Sequence, residues 1–206
     1  MLVPDNKGGK SLVEIVLLLI ASYLIGSIPF ALLVGKIFFN KDLRKHGSGN
    51  LGASNAFRIL GKKAGIVILT LDIVKGAIPV ILGSWLAPEY FHIFIFGLAA
   101  AVGHVFSIFI KFQGGKAVAT SGGAVLGFNP LLFLILLSTF LITLKLTKYV
   151  SVASSVAAVM FVISSLFLQD WFMIILSIIV AILVITKHIS NFKRIKAGTE
   201  SKIKFM

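Results

Sequence analysis

AVATSGGAVLGFNPLLFLILLSTFLITL, residues 117–144, decides how the rest of the chain is arranged. The stretch carries no charge and is longer than the about 20 apolar residues that one helix needs to cross a bilayer. Read as one helix, it takes the chain from one side of a membrane to the other. Gly127-Phe128-Asn129-Pro130 is a strong breaker in its middle. The stretch therefore reads as a hairpin of two short spans, about 117–126 and 130–144. The shorter one is re-entrant or sheltered by its neighbours, because a short helix cannot cross lipid unaided.

Outward from the hairpin, further apolar runs occur at about 12–34, 65–86, 91–110, 150–168 and 171–186. Pro29 is expected to bend the first near its end. Turns fall at Pro88-Glu89 and Gln169-Asp170. The first run has no short hydrophobic core followed by a small-residue cleavage site, so it reads as a retained helix rather than a signal peptide. The chain reads as one all-α integral membrane domain over 1–206, with seven transmembrane helices, some short.

Charge supports this arrangement. Segments 36–63, 111–116, 145–148 and 187–206 hold 17 of the 20 Lys and Arg residues, and with a hairpin at 117–144 they all share one side. The opposite turns hold no Lys or Arg, but carry Glu89 and Asp170. The basic side is expected to be cytoplasmic, which puts the N-terminus outside and the C-terminus inside. A hydrophobic fraction of 58% and a mean hydropathy of +1.03 fit the same reading. The net charge of +13 does not point to nucleic acid, because the cations lie in short loops between apolar runs. The absence of cysteine excludes disulfides, thiolate metal sites and a cysteine nucleophile. His46, His92, His104 and His188 lack close metal-ligand spacing.

The unusual polar residues lie on the basic side too. HGSGNLGASN (46–55) is followed by Arg58 and Gly61-Lys62-Lys63. Small residues let backbone N–H groups approach an anion, and a guanidinium offers a planar fork to phosphate. The alternative is a flexible basic loop facing anionic lipid. FQGGKAVAT (112–120) opens a helix with two glycines and a lysine, and helix N-termini attract phosphate. It lacks Walker A spacing, and an ordinary helix start explains it equally well. KHISNFKR (187–194), followed by Gly198-Thr199-Glu200, places His188 and Asn191 on one face if the last helix continues. A basic helix end with an incidental histidine is the bland reading.

Within the apolar runs, Asp72 and Lys75 stand at i,i+3 and read as an internal ion pair, since lone charges there are costly. His104 is either an interhelical hydrogen-bonder or a site residue. Ser151, Ser154 and Ser155 read as small-residue packing.

Together, HGSGNLGASNAFRILGKKAG (46–65), LDIVKGAIPV (71–80), GHVFSIFIKFQGGKAVAT (103–120) and KHISNFKRIKAGTE (187–200) resemble the bacterial membrane glycerol-3-phosphate acyltransferases that use acyl phosphate. The resemblance covers nearly the whole chain. It implies seven helices in the bacterial cytoplasmic (inner) membrane, with the active site facing the cytoplasm. It also implies acyl transfer from acyl phosphate to glycerol 3-phosphate, giving lysophosphatidic acid and inorganic phosphate. No cofactor is implied. Functional coupling to an acyl-phosphate-producing enzyme is.

By position, the resemblance makes His188, Asn191, Ser48 and Asn50 the candidate catalytic residues. Arg58, Lys116, Gly114, Gly115, Gly49, Gly52, Asn55, Ser154 and His104 are the candidate substrate-binding residues. Family members commonly carry proline at Ser107, lysine at Gln113 and glycine at Ala117. A methyl group at Ala117 reshapes the loop if that position serves close backbone approach to phosphate.

An acyl phosphate already has a good leaving group. The enzyme's task is then to hold two anions together and deliver a hydroxyl. Direct transfer is expected, with a substrate phosphate favoured over His188 as proton acceptor. The fifth residues after the histidines are Leu51, Gly97, Phe109 and Lys193, so the H-x-x-x-x-D signature of another acyltransferase class is absent. A small transporter of phosphorylated metabolites is the competing reading. It would place its site at mid-membrane between internal repeats, and no repeat is visible.

Overall fold

The computed structural model describes residues 12–86 and 92–203. The turn expected at Pro88-Glu89, the start of the run at Phe91 and the last residues of the tail lie outside the described residues. All regular structure among the described residues is helical.

The first apolar run forms α1 (Leu12–Ser27) and α2 (Phe30–Phe39). Pro29 does more than bend it. Proline has no N–H and disfavours the helical conformation at Ile28, so the helix stops and restarts. The interruption frees two carbonyls, and neighbours take both. Ser107 Oγ donates to Ser27 O at 2.5 Å, and Lys75 Nζ donates to Ile28 O at 2.8 Å. Irregular backbone persists at membrane depth only where protein groups satisfy it in this way.

The polar segment after α2 is more ordered than expected. A short 3-10 turn at Leu43–Lys45 is capped by Asp42, and α3 (Ala53–Leu60) follows. Leu43, Leu51 and Ala56 anchor this segment on Ile68 of α4 (Lys62–Leu86). Beyond it, α5 (Phe94–Val105) gives way to a second 3-10 turn at Ile108–Ile110.

In the hairpin, α6 (Val118–Phe128) ends at Asn129 and α7 (Pro130–Thr147) begins at once. Asn129 Oδ1 accepts Leu132 N–H at 3.0 Å, and Pro130 occupies a first-turn position where its missing N–H costs nothing. Next come α8 (Val150–Leu166), α9 (Trp171–Lys187) and α10 (Ile189–Lys196). Asp170 caps α9 through the N–H groups of Phe172 and Met173. A 45° bend at His188 separates α9 from α10.

By length and composition, three helical units among the described residues can cross a membrane: Leu12–Phe39, Lys62–Leu86 and Pro130–Thr147. The α9–α10 pair makes a fourth when taken together, and the apolar helices Phe94–Ile110, Val118–Phe128 and Val150–Leu166 are shorter. At 1.5 Å per residue, α6 is about 16 Å long, roughly half a hydrocarbon core. It survives by packing inside the protein. A side chain at Gly76 of α4 would collide with Thr120 O, and one at Gly123 with Ile73 O. The α1–α5 crossing is equally close at Gly26 and Gly103. Such crossings suit an environment where lipid already solvates leucine and close backbone packing drives association. By contrast, α7 buries only Leu132 and Leu144.

Candidate active site

The first polar loop is built around a buried side chain. Asn55 Oδ1 accepts the Ser48 N–H at 3.0 Å, while its Nδ2 donates to His46 O at 3.0 Å and Leu43 O at 3.3 Å. Gly47 and Gly49 adopt φ of +62° and +70°, which lets the chain wrap this amide. Asn55 is thereby spent on shaping the loop. Ser48 is exposed and Asn50 is half-buried. Arg58, in the last turn of α3, is exposed. The other two arginines are engaged, Arg44 by Asp42 and Arg194 by Glu200. Arg58 has no ion pair among the described residues.

The second loop uses its glycines differently from the expectation of open N–H groups. Gly114 N–H donates to Val105 O at 3.0 Å, and Gly115 N–H to His104 O at 3.1 Å. A side chain on Gly114 would strike the His104 carbonyl, and one on Gly115 the His104 ring. Both glycines allow the loop to lie on the end of α5. Gly115 also faces the first loop, since a methyl there would sit 3.1 Å from Leu51 O. Ala117 caps α6 with φ +55° and ψ +13°. That left-handed conformation explains why glycine suits the position.

The third segment meets the second through Lys116, whose Nζ donates to Asn191 Oδ1. Asn191 Nδ2 then donates to Glu200 Oε1 at 2.7 Å, and Glu200 Oε2 accepts Arg194 Nε at 2.6 Å. Burial and the Arg194 charge lower the Lys116 pKa to about 8, while Glu200 opposes the shift. His188 is buried at the α9–α10 bend, with Nδ1 2.8 Å from Val184 O. A carbonyl only accepts, so Nδ1 carries the hydrogen and Nε2 keeps the lone pair. Burial, followed by the Lys116 charge, lowers the His188 pKa to about 4. The imidazole is therefore neutral at pH 7.

All three segments thus meet at one end of the bundle: loop one touches loop two at Leu51–Gly115, and loop two touches the third segment at Lys116–Asn191. Two predicted residues are placed otherwise. Ser154 Oγ donates within α8 to Val150 O at 2.8 Å. His104 is buried beneath the second loop, its Nδ1 2.9 Å from Thr120 Oγ1. Arg194 and Glu200 stand in the third polar segment quoted from the sequence, but sequence reasoning gave neither a role in this junction. Glu200 is the sole acid among 187–206, beside six cations, and that was the available signal.

The comparisons with known proteins agree on one group. A family model described as glycerol-3-phosphate acyltransferase matches residues 16–198. The glycerol-3-phosphate acyltransferases of Staphylococcus aureus strains JH9 and N315 are each 50% identical over 200 residues, spanning 93% of this chain and 99% of theirs. Among solved structures, PlsY (YgiH), an integral membrane glycerol 3-phosphate acyltransferase, matches in its glycerol 3-phosphate form. The TM-score is 0.86 at 34% identity, over 93% of this chain and 96% of that one. Its lysophosphatidic acid form matches with a TM-score of 0.83 at 32% identity and the same coverage. This chain belongs to the glycerol-3-phosphate acyltransferase family.

Proposed function

We propose that this chain transfers a fatty acyl group from acyl phosphate to the 1-hydroxyl of glycerol 3-phosphate, releasing lysophosphatidic acid and inorganic phosphate. The observation that carries the reading is the junction of Lys116 with Asn191, Glu200 and Arg194 beside the first polar segment, whose α3 bears Arg58, exposed and without an ion pair among the described residues. It supplies cationic groups at one bundle end for two anionic substrates.

The hydroxyl oxygen bonds to the acyl carbon, the bond from that carbon to the phosphate oxygen breaks, and phosphate departs with the electron pair. The hydroxyl proton passes to a phosphate oxygen of a substrate. His188 is too weakly basic for this task at neutral pH, its pKa being about 4. With Asn191 it orients Lys116 and the reacting groups. Arg58, Ser48 and Asn50 receive one phosphate, and Lys116 offsets the charge that builds on the other. Asn55 shapes the first loop, and Gly114 and Gly115 seat the second.

Seven crossings with an outside N-terminus would put these loops at the cytoplasmic face, where glycerol 3-phosphate arrives from water and the acyl chain from lipid. The location is then the bacterial inner membrane, with an acyl-phosphate-producing enzyme upstream. The test of donor and acceptor is product formation by protein in lipid vesicles, from labelled glycerol 3-phosphate with palmitoyl phosphate or palmitoyl-CoA. Labelled lysophosphatidate from palmitoyl phosphate alone is the expected result. Product from the CoA ester alone would overturn the donor assignment.

A further inference from the structure

Beneath the site lies a charged cluster that the proposed chemistry does not use. Lys75 Nζ is 2.7 Å from Asp72 Oδ1, and both side chains are almost wholly buried, 3% and 2% exposed. The same ammonium donates to Ile28 O at the break between α1 and α2. Asp72 Oδ1 in turn lies 3.7 Å from Nδ1 of His104, which is bound to Thr120 Oγ1 on α6. His104 is the residue whose carbonyl holds Gly115 N–H and whose ring underlies Gly115. Lys75, His104, Leu51, Gly114 and Gly115 all line one narrow cleft.

The cluster therefore touches the supports of both loops. On one side is the break that aims α2, which leads into the 46–55 loop. On the other is the histidine platform under 114–116. A simple ion pair would need neither contact. Apolar residues of like volume often replace a buried pair without loss of stability, so stability alone is a weak reason to keep it.

We propose that Lys75, with Asp72, is a positioning residue that sets the spacing between the two phosphate-suited loops. Each loop has its own internal support, Asn55 for the first and the end of α5 for the second. Losing the pair therefore leaves each anion site intact and changes their mutual placement. Kinetically, kcat falls while the KM values persist, because placement rather than ground-state affinity is lost. This inference rests on the acyltransferase reading for its kinetic arm only.

The test compares the parent with Lys75→Met and with the double variant Asp72→Asn/Lys75→Met in lipid vesicles. The single variant leaves a buried carboxylate unpaired and is expected to lose stability. The double variant removes the charge imbalance and is expected to regain the parent melting temperature. Its kcat is expected to stay roughly 10- to 100-fold low, with both KM values within about threefold of the parent.

Recovery of kcat together with melting temperature would reduce the pair to a structural element and overturn the proposal. A second arm needs no activity. Spin labels at Lys45→Cys and Gln113→Cys, simple to introduce in a chain without cysteine, report the distance between the loops. A shifted or broadened distance in the double variant supports the proposal, and an unchanged one overturns it. An inactive parent would defeat the acyltransferase reading and leave this arm to decide.

Discussion

The two halves of the site handle charge in opposite ways. In the 46–58 half the backbone is held from within by Asn55, and the groups left at the surface, Ser48 and Arg58, are exposed. In the 114–200 half the charged groups are already wired to one another, from Lys116 through Asn191 to Glu200 and Arg194. Burial there has moved the pKa values of Lys116 and His188. An exposed, unpaired arginine suits capture of an anion from water. A half-buried, preoriented lysine suits stabilising charge that develops during reaction, because the surrounding dipoles need not reorganise. On the proposed reading, capture falls to the first half and chemistry to the second.

The largest effect should come from the buried half. Lys116→Ala is expected to lower kcat roughly 100- to 1,000-fold, the usual cost of losing one preorganised charge donor. Arg58→Ala should instead raise KM for glycerol 3-phosphate by about 10- to 100-fold, the worth of charge-assisted hydrogen bonds, with a smaller change in kcat. Steady-state kinetics on both variants checks the contrast. Equal effects on kcat and KM in the two would erase it.

Reading the chain alone recovered much of the fold but less of the site. The break at Asn129-Pro130 was legible because both residues act locally, one as a cap and one as a first-turn proline. The stop at Pro29 was underestimated as a bend. Its completeness depends on Ser107 and Lys75 supplying the carbonyls' partners from other helices. Likewise α3 was hidden in a polar segment, since an eight-residue helix draws its stability from packing Ala56 near Leu43 and Ile68. Gly114 and Gly115 looked like open N–H donors, and only the unwound end of α5 reveals what their N–H groups bind. His188 and Asn191 share one face by spacing only if the last helix continues, and the chain bends between α9 and α10. Yet the bend keeps both side chains buried beside Lys116.

The pH dependence sharpens the comparison further, at a size of several-fold. The second ionisation of a phosphate ester lies near about 6. Lys116 loses its proton through about 8. Activity should rise as pH passes the first value, when the substrate becomes a better proton acceptor. It should fall past the second, when the anion-binding charge is lost. His188, with its pKa of about 4, contributes no limb in that window. In His188→Gln, therefore, the residual activity should keep the same acid limb. Loss of that limb in the variant's kcat/KM profile would make His188 the base.

The smallest effect concerns the hinge of the second loop. Ala117 pays for a left-handed φ that glycine adopts freely, a strain of about 1–2 kcal/mol. Ala117→Gly should stabilise the protein by about 1 kcal/mol after the entropy lost with glycine, moving Tm up by about 2–4 °C. Thermal unfolding in detergent measures it, and a lower Tm would show that the buried methyl earns more in packing than it costs in strain.

Direct transfer between two anions held by these unlike halves is the central step of the proposed reaction. Rapid-mix phosphate release from purified protein and acyl phosphate, with and without glycerol 3-phosphate, tests that most directly. Release is expected only when glycerol 3-phosphate is present, with one lysophosphatidate formed per phosphate and no initial burst. A stoichiometric burst without glycerol 3-phosphate would reveal an acyl-enzyme and contradict it.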